Sequence, residues 1–202
     1  MRAVMLPRSQ ASAKFSHDHR SGIGAADAAA LDETCVAVGI TASGSTPYVA
    51  GALRAARAAG ALTVLVTCNP EAPLRELADL GVVADTGPEA LTGSTRLKAG
   101  TATKVILNAF STALMIKAGR TYGNLMVGLV ASNAKLRERA VSLLADASGE
   151  DEARCRAVLA EADGDLPQAL VRLLTGCTPE EAREALRGAP GVRAAVAALG
   201  GR

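Results

Sequence analysis

Short apolar runs rich in valine recur along the first half of the chain. They are CVAVGI at 35–40, LTVLVTCN at 62–69 and VVADT at 82–86. Continuous apolar runs of this length predict strands that are buried on both faces, as in parallel sheets. We therefore predict three such strands, of which the last is the shortest.

The segments between these runs carry helix signals. Pro47 suits the first turn of a helix, YVAGALRAARAAG continues it, and Gly60 suits its end. The segment PLRELADLG, residues 73–81, predicts a second helix that ends at Gly81. Strands alternating with helices at this spacing predict an α/β fold with a parallel sheet flanked by helices.

The second half of the chain predicts helices only. The sequence Thr178-Pro179-Glu180-Glu181, for example, combines a polar cap, a proline and two acids, which together mark a helix start. The predicted helices cover residues 95–119, 124–148, 150–162, 165–175, 178–187 and 190–199.

Domain organisation follows from these elements. We expect an irregular segment over residues 1–30, where periodicity is weak, and an α/β domain over 31–148. A small helical domain over 149–202 completes the chain and carries no evident chemistry.

Composition narrows the possible functions. The formal net charge is +2 and aromatic residues make up 2% of the chain, so nucleic-acid binding is not favoured. No run approaches the ~20 uninterrupted apolar residues of a membrane span, and the N-terminus lacks the apolar core of a signal peptide. We expect a cytoplasmic protein that acts on a small molecule, with no nucleic-acid or membrane partner.

Cysteine and histidine do not form metal motifs. The cysteines are scattered, without a CxxC pair, and are interpreted as small buried apolar residues. His17 and His19 lack partner carboxylates at ligand spacing, so we expect no metal and no cofactor. The four cysteines are Cys35, Cys68, Cys155 and Cys177.

A first candidate loop, TASGST at residues 41–46, joins a predicted strand to a predicted helix. Gly44 allows the main chain to approach an anion, and Ser43, Ser45 and Thr46 add hydroxyl donors. The helix N-terminus adds unpaired amides and partial positive charge, which suits a phosphate group. The alternative is that the hydroxyl side chains only cap the helix.

A second candidate loop opens the stretch GPEALTGSTRLKAGTATK, residues 87–104, which follows the third predicted strand. It again combines glycine with hydroxyl residues, and it adds Glu89, Arg96 and Lys98. Arg96 offers forked donors for phosphate, and Glu89 offers acceptors for sugar hydroxyls. Alternatively, Glu89 favours the helix N-terminus through the dipole, and the two cations are solvated surface charges. Because ligands collect at the carboxyl ends of parallel strands, two such loops favour one shared site.

Four stretches together carry a family resemblance: GITASGSTPYV, TCNPEAPL, GPEALTGSTRLKAGTATK and YGNLMVGLVASNAKLRERAV. They resemble the bacterial N-acetylmuramic acid 6-phosphate etherases and, more distantly, the mammalian glucokinase regulatory protein. Both belong to the sugar isomerase (SIS) fold group. The resemblance runs from about residue 36 to the C-terminus, and it implies that residues 31–148 are a partial SIS domain that binds sugar phosphate.

The resemblance also implies an activity. The family is a carbon–oxygen lyase family of peptidoglycan recycling, which cleaves the lactyl ether to give N-acetylglucosamine 6-phosphate and D-lactate without a metal. A carboxylate removes the C2 proton of the open-chain sugar and helps lactate leave. The family pattern also implies a homodimer. Its substrate-binding residues fall on Ser43, Gly44, Ser45, Thr46, Glu89, Ser94, Thr95, Arg96 and Lys98.

The front of the chain departs from the family pattern. The first strand, its glycine- and serine-containing loop and the catalytic glutamate that follows are not found, and Ser16 stands where a second glutamate is expected. We therefore expect a domain truncated on its N-terminal side, and we assign no catalytic residue. Two functions stay open: an etherase, or a non-catalytic regulatory protein that binds a sugar phosphate.

Overall fold

The computed structural model describes residues 2–4, 17–129, 131 and 133–201, and for residues 2–4 and 17–19 it describes the main chain only. The chain forms two compact units, Met1–Asn108 and Ala109–Arg202. Ser16, where the family pattern places a glutamate, lies outside the described residues.

A parallel sheet organises the first unit. Its strands β1 (Arg2–Val4), β2 (Cys35–Thr41), β3 (Leu62–Thr67) and β4 (Leu80–Val83) are neighbours in chain order. All three pairings are parallel. The predicted parallel sheet is thus confirmed, and β1 adds a strand within the segment that the sequence predicted to be irregular.

Helices α1 (His17–Asp27) and α2 (Pro47–Ala58) pack closely on one another. Glycines bring them together: a Cβ on Gly24 would lie 2.0 Å from the carbonyl oxygen of Tyr48, and one on Gly51 would lie 1.8 Å from that of Ser21. The prediction of an irregular segment over 1–30 is therefore wrong for residues 17–27. Small residues make this contact, so the sequence shows no apolar stripe there.

The predicted helix over 73–81 is only a short 3-10 helix, Pro73–Leu77. Asp79 explains the early end. Its Oδ2 accepts hydrogen bonds from the Thr63 main-chain nitrogen at 2.9 Å and from Thr63 Oγ1 at 2.8 Å. These bonds hold the chain beside β3, so β4 begins at Leu80 rather than at residue 82.

Helix α3 (Lys98–Lys117) is long and exposed. By length and composition it could cross a bilayer, with a mean hydropathy of 1.2 and 6% of its apolar window buried. A single helix of this kind is weak evidence for a membrane span. Exposed apolar side chains also occur on β4, where Leu80 is 54% and Val83 is 44% exposed.

In the second unit, the end of α3 is followed by a short antiparallel hairpin, β5 (Thr121–Tyr122) and β6 (Leu125–Met126). The predicted helix over 124–148 therefore starts ten residues too early. Helix α4 (Ala134–Ser148) starts where Asn133 Oδ1 accepts a hydrogen bond from the Leu136 amide at 2.9 Å. This side-chain cap fixes the start of the helix.

The remaining helices match the predicted ones to within about two residues. One apolar cluster unites them with α4, through fully buried Leu144, Cys155 and Leu170. Because α4 packs in this cluster, the units divide after Asn108 and not near residue 148. These helices are α5 (Glu152–Glu161), α6 (Leu166–Thr175), α7 (Pro179–Gly188) and α8 (Val192–Ala198).

Candidate functional site

The carboxyl ends of β2, β3 and β4 lie at one edge of the sheet because the three strands are parallel. The first loop, residues 41–46, follows β2 and leads into α2. The second loop, residues 87–97, follows β4 and leads into α3. Ligands of open parallel sheets bind at this kind of edge.

Hydroxyl groups within the first loop bond to one another. Thr41 Oγ1 and Thr46 Oγ1 share a hydrogen bond of 2.7 Å, and Thr41 Oγ1 accepts from the Gly44 amide at 3.3 Å. Thr46 is the N-cap residue of α2, yet its side chain makes no capping hydrogen bond. The capping alternative therefore does not explain Thr46.

Ser43 and Ser45 form the exposed part of the first loop. Their Oγ atoms lie 3.0 Å apart, and the Ser45 amide donates to Ser43 Oγ at 3.3 Å. Two neighbouring hydroxyls at a helix N-terminus can donate together to the oxygens of one anion.

Gly44 packs the first loop against the loop after β3. Its φ is +72°, and a Cβ at this position would lie 2.2 Å from the Cβ of Ala72. The Leu74 amide donates to the Gly44 carbonyl at 3.1 Å. Only glycine combines this backbone conformation with such a close approach, so Gly44 sets the shape of the loop.

Asn69 is a site residue that the sequence reasoning missed. Its Nδ2 donates to the Ser43 carbonyl at 3.0 Å, and its Oδ1 accepts from the Glu71 amide at 3.0 Å. The Cys68 amide also donates to the Ala42 carbonyl. The signal for this role is a polar residue directly after a buried strand.

The second loop is a series of tight turns. The Ser94 amide donates to the Leu91 carbonyl at 2.9 Å, and the Leu97 amide donates to the Ser94 carbonyl at 3.2 Å. Ser94 is half-buried and Thr95 is exposed. Gly93, at φ +82°, supplies the left-handed residue that reverses the chain.

Glu89 binds the start of α3 with both carboxylate oxygens. Oε2 accepts from the Lys98 amide at 2.9 Å and Oε1 from the Ala99 amide at 3.0 Å. These two main-chain bonds, and Lys98 to a lesser degree, hold the pKa of Glu89 below its ordinary value. The structure thus supports the helix-terminus interpretation of Glu89. A carboxylate with a lowered pKa is poorly suited to donate a proton near neutral pH.

The two cations of the second loop are exposed. Within the described part of the chain, no ion pair includes Arg96 or Lys98. Lys98 still interacts with the charge of Glu89, without forming an ion pair with it. An incoming anion could bind both cations, although the same observation fits solvated surface charges.

Cys68, at the end of β3, connects the neighbourhoods of the two loops. Its main chain bonds the first loop at Ala42, and its Sγ lies 3.5 Å from the Ala99 carbonyl and 3.8 Å from Thr103 Oγ1. The first loop and the start of α3 therefore both contact the residue that follows β3. The site region offers exposed hydroxyls, a Thr46 side chain that does not cap α2, and exposed cations, which together suit a phosphate group.

No group of three or more His, Cys, Asp or Glu side chains that could hold a metal ion occurs in the described residues. The side chains of His17 and His19 lie outside that part of the chain.

Residues 15–113 match the family model of the SIS domain, and this range contains both loops. The N-acetylmuramic acid 6-phosphate etherase of Thermobifida fusca is 57% identical over 152 residues, 75% of this chain and 50% of that protein. The etherase of Deinococcus radiodurans is 52% identical over 156 residues, which cover 77% of this chain and 51% of the relative. Over about three quarters of its length, the chain is thus similar to N-acetylmuramic acid 6-phosphate etherases.

The etherase-family match is partial in length. The Rubrobacter xylanophilus etherase is 48% identical over 176 residues, 85% of this chain but 58% of that protein. The chain thus spans about half the length of the curated etherases that it matches.

Proposed function

We propose that this chain works in the etherase reaction on N-acetylmuramic acid 6-phosphate, a carbon–oxygen bond cleavage that yields N-acetylglucosamine 6-phosphate and D-lactate. The observation that carries the proposal is identity of about half to the etherases, over three quarters of this chain. The SIS match adds that both candidate loops lie in a sugar-phosphate domain.

In this proposal the first loop binds the 6-phosphate. The main-chain amides at the start of α2 and the exposed hydroxyls of Ser43 and Ser45 donate to its oxygens. Thr46 is held in place by Thr41, and Gly44 lets the main chain come close. Ser94, Thr95 and Arg96 of the second loop complete the donor set, with Lys98 as a more distant cation.

The elimination needs a carboxylate that takes the C2 proton of the sugar and then assists departure of lactate from C3; water afterwards adds to the new double bond. Glu89 is unsuited to this task because both of its oxygens accept main-chain bonds. We assign no catalytic residue. The described loops supply recognition of the phosphate, and the proton-transfer group must come from elsewhere in the active protein.

Two measurements test this proposal. Calorimetry with N-acetylglucosamine 6-phosphate should show binding that disappears for the unphosphorylated sugar and weakens in Ser45→Ala. Ser142→Ala, an exposed α4 hydroxyl bonded to the Glu138 carbonyl, is the matched control and should bind normally. Release of D-lactate from N-acetylmuramic acid 6-phosphate tests turnover. Failure to bind either sugar phosphate would contradict the proposal.

We also propose that the protein is a cytoplasmic homodimer without nucleic-acid or membrane partners. All four cysteines are free, which supports a reducing compartment. The exposed apolar residues of β4 support a dimer, because monomers seldom leave such an edge uncovered. Sedimentation velocity tests the dimer, and cell fractionation tests the location; a monomer or a membrane-bound protein would contradict these proposals.

A further inference from the structure

We propose that Glu89 is a positioning residue that closes the N-terminus of α3 to anions and holds the second loop in place. This inference rests on the proposed function, because it assigns roles within that same site. In this inference Glu89 does not contact the sugar. It acts on the site through its hydrogen bonds to the main chain of α3.

The four main-chain amides at the start of α3, from Leu97 to Gly100, all have partners. Leu97 donates to the Ser94 carbonyl at 3.2 Å, Lys98 and Ala99 donate to Glu89, and Gly100 donates to the Thr95 carbonyl at 2.9 Å. A helix N-terminus normally leaves four amides without a partner within the helix. Here none of these four amides is left for a ligand, and a phosphate would have to displace Glu89.

The N-termini of α2 and α3 also differ in charge. The Glu89 carboxylate opposes the partial positive charge at the start of α3 and repels a second anion there. Helix α2 differs in charge, since it has no acidic residue in its first turn.

The hydrogen bonds from the Lys98 and Ala99 amides to Glu89 also close the second loop. Glu89 lies nine residues before Lys98, so its carboxylate joins the beginning and the end of the segment that contains Ser94, Thr95 and Arg96. Glu89 thus positions the three residues of the second loop that the proposed function assigns to phosphate binding.

The test compares Glu89→Ala, Glu89→Gln and Glu89→Asp with wild type by NMR amide exchange and by titration with N-acetylglucosamine 6-phosphate. In Glu89→Ala, the Lys98 and Ala99 amides should exchange about fivefold faster, as expected for loss of a helix cap. Affinity for the sugar phosphate should fall as well. Glu89→Asp, which keeps the carboxylate, should recover part of the amide protection and part of the affinity. Glu89→Gln should recover less of each.

Sodium formate gives a readout that a general loss of folding would not produce. Formate should slow exchange of the Lys98 and Ala99 amides in Glu89→Ala, relative to sodium chloride at the same ionic strength, and should leave wild type unchanged. Glu71→Ala removes a carboxylate after β3 and should resemble wild type. Unchanged amide exchange in Glu89→Ala, or no response to formate, would overturn the inference.

The two hypotheses fail differently. If wild type binds no sugar phosphate, the proposed function is wrong, whereas the exchange data still test whether Glu89 holds α3. If wild type binds and Glu89→Ala binds equally well, the positioning role is wrong and the proposed function stands.

Discussion

Replacing Gly44 by alanine would perturb the first loop in two ways that can be separated. At φ +72°, an alanine occupies the left-handed region, which costs about 1–2 kcal/mol. Its methyl group would also lie 2.2 Å from the Cβ of Ala72 and 2.8 Å from its Cα. Such overpacking typically costs about 1–3 kcal/mol. The two effects together predict a loss of roughly 2–5 kcal/mol.

Gly60→Ala is the matched control. Gly60 has φ +80°, but a methyl group at this position would have the Glu33 Cβ as its nearest atom, at an ordinary 3.5 Å. Only the backbone cost of about 1–2 kcal/mol applies there. The difference between the variants therefore isolates the contact with Ala72.

Calorimetry and urea denaturation measure both variants, and titration with N-acetylglucosamine 6-phosphate measures the site. Gly44→Ala should lower the melting temperature by at least about 4 °C more than Gly60→Ala, at about 4 °C or more per kcal/mol. It should also weaken binding, whereas Gly60→Ala should not. Equal stability losses in the two variants would refute the steric reasoning, and unchanged binding in Gly44→Ala would refute the role of the loop.

Three further predictions concern the two units. Gly24→Ala should destabilise the first unit because its methyl group would lie 2.0 Å from a main-chain oxygen of α2. Gly22→Ala, with open space around it, should raise stability slightly. Equal melting temperatures for the two variants would contradict this prediction. Asp79→Asn should lower stability most at neutral pH. The pKa of Asp79 is lowered by hydrogen bonds from Thr63, so its stabilisation is present above the unfolded pKa of about 4 and is lost as pH falls through the lower folded pKa. An equal deficit in acid and at neutral pH, measured by urea denaturation, would contradict it. Leu144→Ala should cost about 2–5 kcal/mol in the second unit, since this side chain is fully buried, and an unchanged calorimetric transition would contradict that packing.

The strands of the first unit are readable from sequence because a parallel strand needs an uninterrupted apolar run. Residues 35–40 and 62–67 satisfy that condition, and β2 and β3 occur there. The helix α1 is not readable in this way. It packs against α2 through Gly24, which has no side chain. Such a contact needs no apolar side chains, so it leaves no apolar periodicity in the sequence.

The starts and ends of elements depended on single side chains. Asp79 bonds to Thr63, sixteen residues earlier, and this long-range pair ends the 3-10 helix and starts β4. Asn133 likewise sets the first residue of α4. A pattern search over a local window detects the apolar residues but does not detect which distant polar group a side chain will bind.

At the candidate site, the sequence identified the two loops but not which residues cap a helix and which are left to bind a ligand. Thr46 and Glu89 each had a capping interpretation and a ligand-binding interpretation. The structure separates them: Thr46 bonds to Thr41 and leaves α2 without a side-chain cap, whereas Glu89 caps α3 with both oxygens. This distinction depends on geometry that residue types alone do not determine.

If the two loops bind one phosphate group together, an NMR titration will detect it in both loops at once. Backbone amide resonances are followed while N-acetylglucosamine 6-phosphate is added, with N-acetylglucosamine as the control. Residues 43–46 and 94–96 should shift with one shared dissociation constant, and the unphosphorylated sugar should shift neither group. Shifts in only one loop, different dissociation constants for the two, or the same response to both sugars would contradict shared binding of the phosphate group.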